Sequence, residues 1–320
     1  MVDAIAAAFK AAKRKYDRGQ PALADVLNLA IQCLQTLEHN ASYRRFGMFA
    51  GLPPKEYWVA QANIGHAISR PFRPDLFIFR LEDFGQAASL FVEDMQMSRL
   101  DPGRFDRVIY TAVTAFCLCY DVWKPKSRKT PGTFFEVLMG SAAALYFSDA
   151  TLTKHIPITG LPVAEGADVL EEAATDDASD DDGVEAVQGN SVSTDLVLTS
   201  RVTGRGAVVP LKITTRERIV QPFAHQRILD SARPGQFASF LACISEVQRD
   251  DLTNSVKQVC VPGTVALFQK HLAALQGLYY CDIPDRYARP DVGAVIAVKP
   301  LHMLFRDIEA HLRIPFSTFG

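Results

Sequence analysis

The sequence predicts an α/β protein in which a helical first third leads into an α/β core over about 130–315. Three observations predict it. Apolar residues recur at helical spacing through the first hundred positions. Two short runs rich in Val, Ile, Leu and Thr then flank a Gly-rich turn. Beyond them, strand-like and helix-like stretches alternate to the end of the chain.

Taken in order, 4–16 is rich in Ala and Lys. The stretch 22–37 places Leu23, Val26, Leu27, Ala30, Ile31 and Leu34 on one helical face. The stretches 51–54 and 70–74 carry the Gly and Pro of loops. A further apolar helix is expected over about 105–120, ending in a basic loop, WKPKSRKTPG, with Lys124, Lys126, Arg128 and Lys129. A helix over 133–147 follows, with Pro131 and Gly132 at its mouth. The runs TDLVLTS (194–200) and AVVPLKIT (207–214) read as a hairpin around TGRG. A polar helix is expected over 216–229, started or broken by Pro222. Strands are expected at 258–261, 278–281 and 292–298, with helices at about 264–275 and 301–312. No internal repeat is visible.

The chain has 320 residues, 48% hydrophobic and 22% charged, so wholly disordered, collagen-like and coiled-coil readings fail. The longest nearly uncharged apolar run, 108–120, is too short for a bilayer core of ~30 Å, and the N-terminus lacks a signal layout. Six Cys without a CxxC pair point to buried, reduced thiols and a cytoplasmic protein with no membrane contact. Seven His form no HExxH and no Cys/His zinc spacing. GxSxG, P-loop and GxGxxG motifs are absent.

Charge is segregated. The net charge is −2, yet ten acids lie between Glu165 and Glu185, in a stretch with no Lys or Arg from 155 to 200. Without them the acids fall from 36 to 26 against 34 bases, which leaves +8 for the rest. The molecule is therefore basic with an acidic insert over 163–192, which reads as a solvated flexible loop. A second reading has that segment competing with nucleic acid for a basic cleft. DDASDDDG lacks the alternating ligands and distal Glu of a calcium loop.

A turn at Thr203 and Gly204 sets Asp195 and Lys212 equidistant from it. In a regular antiparallel pair they stand opposite each other on one face, Cβ atoms ~4.5–5.5 Å apart. Leu196, Leu198, Leu211 and Ile213 then face the other, buried side. A carboxylate beside an ammonium suits a hard metal ion and a water. It also suits a plain cross-strand salt bridge worth under ~1 kcal/mol. Thr214, Thr215, Arg216 and Arg218 follow at once, offering hydroxyls and guanidiniums suited to phosphate oxygens and guanine edges.

TDLVL, VVPLKITTRER and the upstream helix GTFFEVLMG together resemble the active site of type II restriction endonucleases of the PD-(D/E)xK superfamily. The resemblance covers about 130–230. It implies an αβββαβ restriction-endonuclease-like core with a mixed central sheet, Mg²⁺-dependent phosphodiester hydrolysis and a homodimer on a short palindrome of double-stranded DNA. It further implies a cognate DNA methyltransferase as genetic partner. The family's metal-binding aspartate falls on Asp195, its catalytic lysine on Lys212, and the acid of the preceding core helix on Glu136, a second metal ligand. The residue two before the lysine, usually Asp or Glu, is Pro210 here. Some members supply that acid thirteen or fourteen residues after the lysine, where this chain has His225 and Gln226. Gln226 can coordinate through its amide oxygen and is carried as a catalytic candidate; Glu217 is another acid nearby. On this reading 1–125 serves dimerisation and DNA recognition and 126–320 is the catalytic core. The alternatives are a repair or recombination nuclease of the same fold and a non-catalytic DNA-binding protein with a degenerate site.

Overall fold

The computed structural model describes residues 2–50, 54–127, 129–158, 191–250, 252–253 and 255–315, with the side chains of Arg216 and Glu217 left out. Residues 163–190 of the expected acidic insert lie outside them. So does Arg128.

The chain opens with helices α1 (Val2–Asp17) and α2 (Leu23–Asn40), as their periodicity predicts. It then departs from a helical first third. An antiparallel hairpin pairs β1 (Ala41–Phe49) with β2 (Lys55–Ala62). Its strands carry charged residues among the apolar ones and bury only part of their length, so no clean alternation marks them. Helices α3 (Leu81–Gln96), α4 (Pro102–Trp123) and α5 (Thr130–Tyr146) follow. Asp101 caps α4 by accepting from the Arg104 N–H at 2.8 Å, and Pro102 takes its first position. Every residue of α4 from Val108 to Tyr120 is buried, so this helix is the centre of the largest apolar core. Phe116 of α4 stacks on Phe134 of α5 at 4.2 Å between ring centres.

The sheet is built from β3 (Ala150–Pro157), β4 (Ser191–Ser200), β5 (Gly206–Val208), β6 (Leu211–Lys212), β7 (Phe237–Ser245), β10 (Gly277–Asp282) and β11 (Val298–Pro300). Between these lie α6 (Val220–Ala232), the small hairpin β8 (Val247–Asp250) and β9 (Ser255–Gln258), α7 (Pro262–His271) and α8 (Pro290–Gly293). Helix α9 (Met303–Leu312) closes the described chain. Strand order is β11-β10-β7-β5-β4-β3, with β6 also on β7. The β3, β4 and β5 strands are antiparallel to their neighbours within that trio, whereas β5, β6 and β10 run parallel to β7 and β11 parallel to β10. The order α5, β3, β4, β5, α6, β7 is the αβββαβ core with its mixed sheet.

Strands β3 and β7 have no counterpart among the expected elements. Strand β7, FASFLACIS, is buried along nearly its whole length; a central parallel strand reads as a continuous apolar run and shows no period of two. The strand expected at 258–261 ends at Gln258, and most of 292–298 is helix end and turn before β11. Leu196, Leu198 and Leu211 do face the main core, while Val197 and Val208 face a second cluster with Leu229 and Phe237. That core draws on residues from both sides of position 125. All six cysteines are free. Among the described residues, no helix is long and apolar enough to cross a membrane.

Candidate active site

The site begins with a proline. In the β4 and β5 ladder Val197 faces Val208 and Thr199 faces Gly206, so continuation of the register puts Pro210, not Lys212, opposite Asp195. The expected direct pairing is therefore offset by two residues. The last ladder bond to β4 comes from the Val209 N–H to the Leu196 carbonyl at 2.8 Å; Pro210, which has no N–H, faces β7, where its carbonyl accepts the Ala242 N–H at 3.0 Å. Beyond it the chain leaves β4 but stays on β7, which β5 already pairs, so that Leu211 pairs with Ala242 and Lys212 with Cys243.

A gap opens between β4 and β6, and the Asp195 side chain fills it. Its Oδ2 accepts the Leu211 N–H at 2.7 Å, standing in for the lost backbone acceptor, and the Lys212 Nζ at 2.9 Å. Its Oδ1 accepts no hydrogen bond among the described residues. The strand break thus produces the close contact that a regular hairpin was expected to give.

Glu136 comes from α5 and lines the same cavity, about 350 Å³ in volume, together with Asp195, Pro210 and Lys212. Burial pushes its carboxyl above the usual carboxylate range, and nearby Asp195 adds to the rise; the Lys154 ammonium of β3, paired with it, pulls the other way. Sequence reading missed Lys154. Only the pairing of β3 with β4 brings it to the site, and β3 itself was not anticipated.

Helix α6 supplies Gln221, Pro222 and His225 to the cavity wall. Burial, and then the Lys212 ammonium, hold the His225 imidazole below its ordinary value, with Asp195 opposing. No ring nitrogen of His225 has a hydrogen-bond partner among the described residues. Gln226 points elsewhere: it is buried, its amide donates to Asp230 at 2.7 Å and to the Phe237 carbonyl at 3.1 Å, and it does not line the cavity. One step along a helix turns a side chain by about 100°, so the two neighbours cannot share a face.

Glu136, Asp195 and Lys212 also form the floor of a cleft of about 950 Å³. Its walls include Lys124, Lys129, Thr214, Thr215 and Arg218 from the expected DNA-contact set, with Arg70 and Arg249 added. Lys124 pairs with Asp3 at 2.9 Å, and Lys126 is exposed outside the lining. Thr215 is buried and donates both its N–H and its hydroxyl to Glu246, so that hydroxyl is committed within the protein.

The donor set suits a hard divalent ion. Among the described residues, no three His, Cys, Asp or Glu side chains converge closely enough to enclose a metal by themselves. Magnesium is commonly held by one or two carboxylates, with waters and substrate phosphate completing its shell. Two carboxylates at one cavity, one with an unengaged oxygen, meet that need.

No protein-family model matches the chain, and a comparison with curated proteins returns no match. Among solved structures, the chain is similar to the crystal structure of the type IIP restriction endonuclease Kpn2I. The identity is 37% over 97% of this chain and 98% of that one, with a TM-score of 0.80. A complex of the restriction endonuclease PspGI with substrate DNA matches at 10% identity over 72% of this chain and 92% of that one, with a TM-score of 0.39, too slight to weigh. With the αβββαβ core, the carboxylate and lysine at the strand break and 37% identity over nearly the whole length, the chain belongs to the type II restriction endonucleases, sequence-specific enzymes that hydrolyse DNA.

Proposed function

We propose that the cavity shared by Glu136, Asp195 and Lys212 is where the DNA phosphodiester is cut, and that the divalent ion used is Mg²⁺. The observation that carries this reading is the state of Asp195, with Oδ2 fixed by Lys212 and Leu211 and Oδ1 unengaged at the floor of the large cleft. Asp195 Oδ1 and the Glu136 carboxylate would hold the ion. When bound, it supplies positive charge to the scissile phosphate and to the leaving 3′ oxygen and makes a bound water more acidic.

The chain's own groups do the rest. Asp195 holds the Lys212 ammonium at 2.9 Å, and Lys212 donates to the attacking water and orients it in line with the bond to be broken. Once DNA is bound the same ammonium offsets charge on the phosphate as the transition state forms. His225, not Gln226, is the residue of α6 that meets the reacting groups. Arg218, Thr214, Lys124 and Lys129 contact the duplex backbone along the cleft, and the sequence adds the positive charges of Arg216, Arg128 and Lys126 to the same phosphates. A two-fold homodimer places one such site on each strand of a palindrome. The protein works in the cytoplasm beside a methyltransferase that protects the host's own copies of the site.

Digestion of phage and plasmid DNA in Mg²⁺ and in EDTA tests this. Discrete Mg²⁺-dependent fragments with a common end sequence are expected. A smear would point to a nuclease without sequence preference. Intact DNA on every unmethylated substrate would overturn the catalytic reading.

A further inference from the structure

Each carboxylate of the cavity has its own lysine, and the two pairs differ. Lys212 has Asp195 as its one charged partner among the described residues, at 2.9 Å. Lys154 pairs with Glu136 but keeps other company: the Asp17 carboxylate lies 3.7 Å away, and the Tyr16 ring centre lies 5.3 Å from its Nζ. Both belong to the last turn of α1. That turn comes close because Gly140 of α5 has no side chain; a Cβ there would collide with the Tyr16 ring and hydroxyl. Asp17 is in turn held by Lys13 at 2.6 Å.

Glu136 is only 15% exposed and shares its cavity with a second carboxylate, so an ionised Glu136 needs a cation beside it. We propose that Lys154 is that cation in the metal-free protein, and that a divalent ion entering the cavity displaces it onto Asp17 and the face of Tyr16. The inference rests on the metal site assigned to Asp195 and Glu136 above. It makes Lys154 a positioning residue: it keeps Glu136 in place and charged before metal arrives, then withdraws along a path already furnished with an anion and an aromatic face. Its charge opposes the metal's, so it weakens metal affinity while it steadies the empty site.

Mn²⁺ binding to the protein at pH 8, followed by calorimetry, reads this without any turnover. Lys154→Met should tighten Mn²⁺ binding by about tenfold, the scale of removing one like charge from a partly screened site. Its metal-free melting temperature should drop, and saturating Mn²⁺ should restore more of it than in the wild type. Lys154→Arg, which keeps the charge, should bind Mn²⁺ as the wild type does. Asp17→Asn takes away the seat that receives the ammonium, so its Mn²⁺ binding should weaken by about threefold, again a single screened charge at work. This last variant leaves the cavity lining untouched and decides the matter if Lys154→Met does not fold. Equal or weaker Mn²⁺ binding by Lys154→Met, or unchanged binding by Asp17→Asn, would overturn the displacement while leaving the metal site standing. Absence of any Mn²⁺ binding that Asp195→Asn abolishes would overturn both.

Discussion

Two aspartates on the same sheet, one buried and one partly open, have opposite fates. Asp282, at the end of β10, is 1% exposed at its side chain and is satisfied on both oxygens. Arg73 donates to Oδ1 at 3.0 Å with Lys55 at 3.8 Å, and the Tyr57 and Ser245 hydroxyls each donate to Oδ2 at 2.9 Å. Asp195 is 27% exposed, and its partners crowd one oxygen while the other stays open. Asp282 ties the β2 strand and the Arg73 loop to the core; no room is left for a ligand. Asp195 sits where the chain parts from β4 after Val209, and the gap that costs the sheet ladder bonds gives the carboxylate something to hold. Between these two acids, a vacant lone pair beside a fixed cation is what marks Asp195 for the reacting role proposed above and Asp282 for a structural one.

Substitution should separate the two roles. A large effect is expected for Lys212→Ala: cleavage should fall by about 10²–10³-fold, the range for loss of a fixed charge-stabilising donor, with little change in melting temperature. Asp282→Ala should do the reverse. It leaves Arg73 and Lys55 short of a buried partner and should cost about 3 kcal/mol of stability in a denaturant titration, with cleavage of the protein still folded retained. If Asp282→Ala is as stable as the wild type, the contrast between the two aspartates fails.

The Asp195 pair was legible in the sequence because both strands carry apolar residues on either side of one acid and one lysine, and Glu136 because it is the one acid in an otherwise apolar helix. The register was not legible. It depends on where the chain leaves β4, after which Lys212 pairs with β7 alone. Strand β7 was hidden by its uniform burial, and Lys154 by lying on β3, whose place beside β4 only the folded sheet reveals. The choice between His225 and Gln226 likewise needed the rotation of α6 about its axis. The resemblance to a nuclease core carried the fold further than periodicity alone, and the 37% identity to Kpn2I bears it out.

Smaller effects sharpen the picture at the cleft and at the sheet edge. Arg218→Ala should weaken DNA binding on all sequences alike and lower the slope of log affinity against log salt by about 0.9, the loss of one phosphate contact; an unchanged slope would place Arg218 away from the backbone. His311 of α9 donates its Nε2 proton to the Gly206 carbonyl at 3.1 Å, and burial holds its ring below the ordinary histidine value. The fold thus binds the proton more weakly than the unfolded chain, which takes it up near the ordinary pKa of about 6.5. Stability is therefore lost as the pH falls through that value, and His311→Gln should flatten the decline in melting temperature between about pH 7.5 and pH 5.5.

The central claim is that the open oxygen of Asp195 belongs to the reaction. Asp195→Asn keeps the shape of the side chain and an acceptor for the Leu211 N–H, and removes the charge. Purified protein of each form, given the same DNA in Mg²⁺, should differ completely: discrete fragments from the wild type, none from the variant, and an equal mobility shift when Ca²⁺ replaces Mg²⁺. Cleavage by Asp195→Asn at the wild-type rate would contradict the assignment and move the active site elsewhere in the cleft.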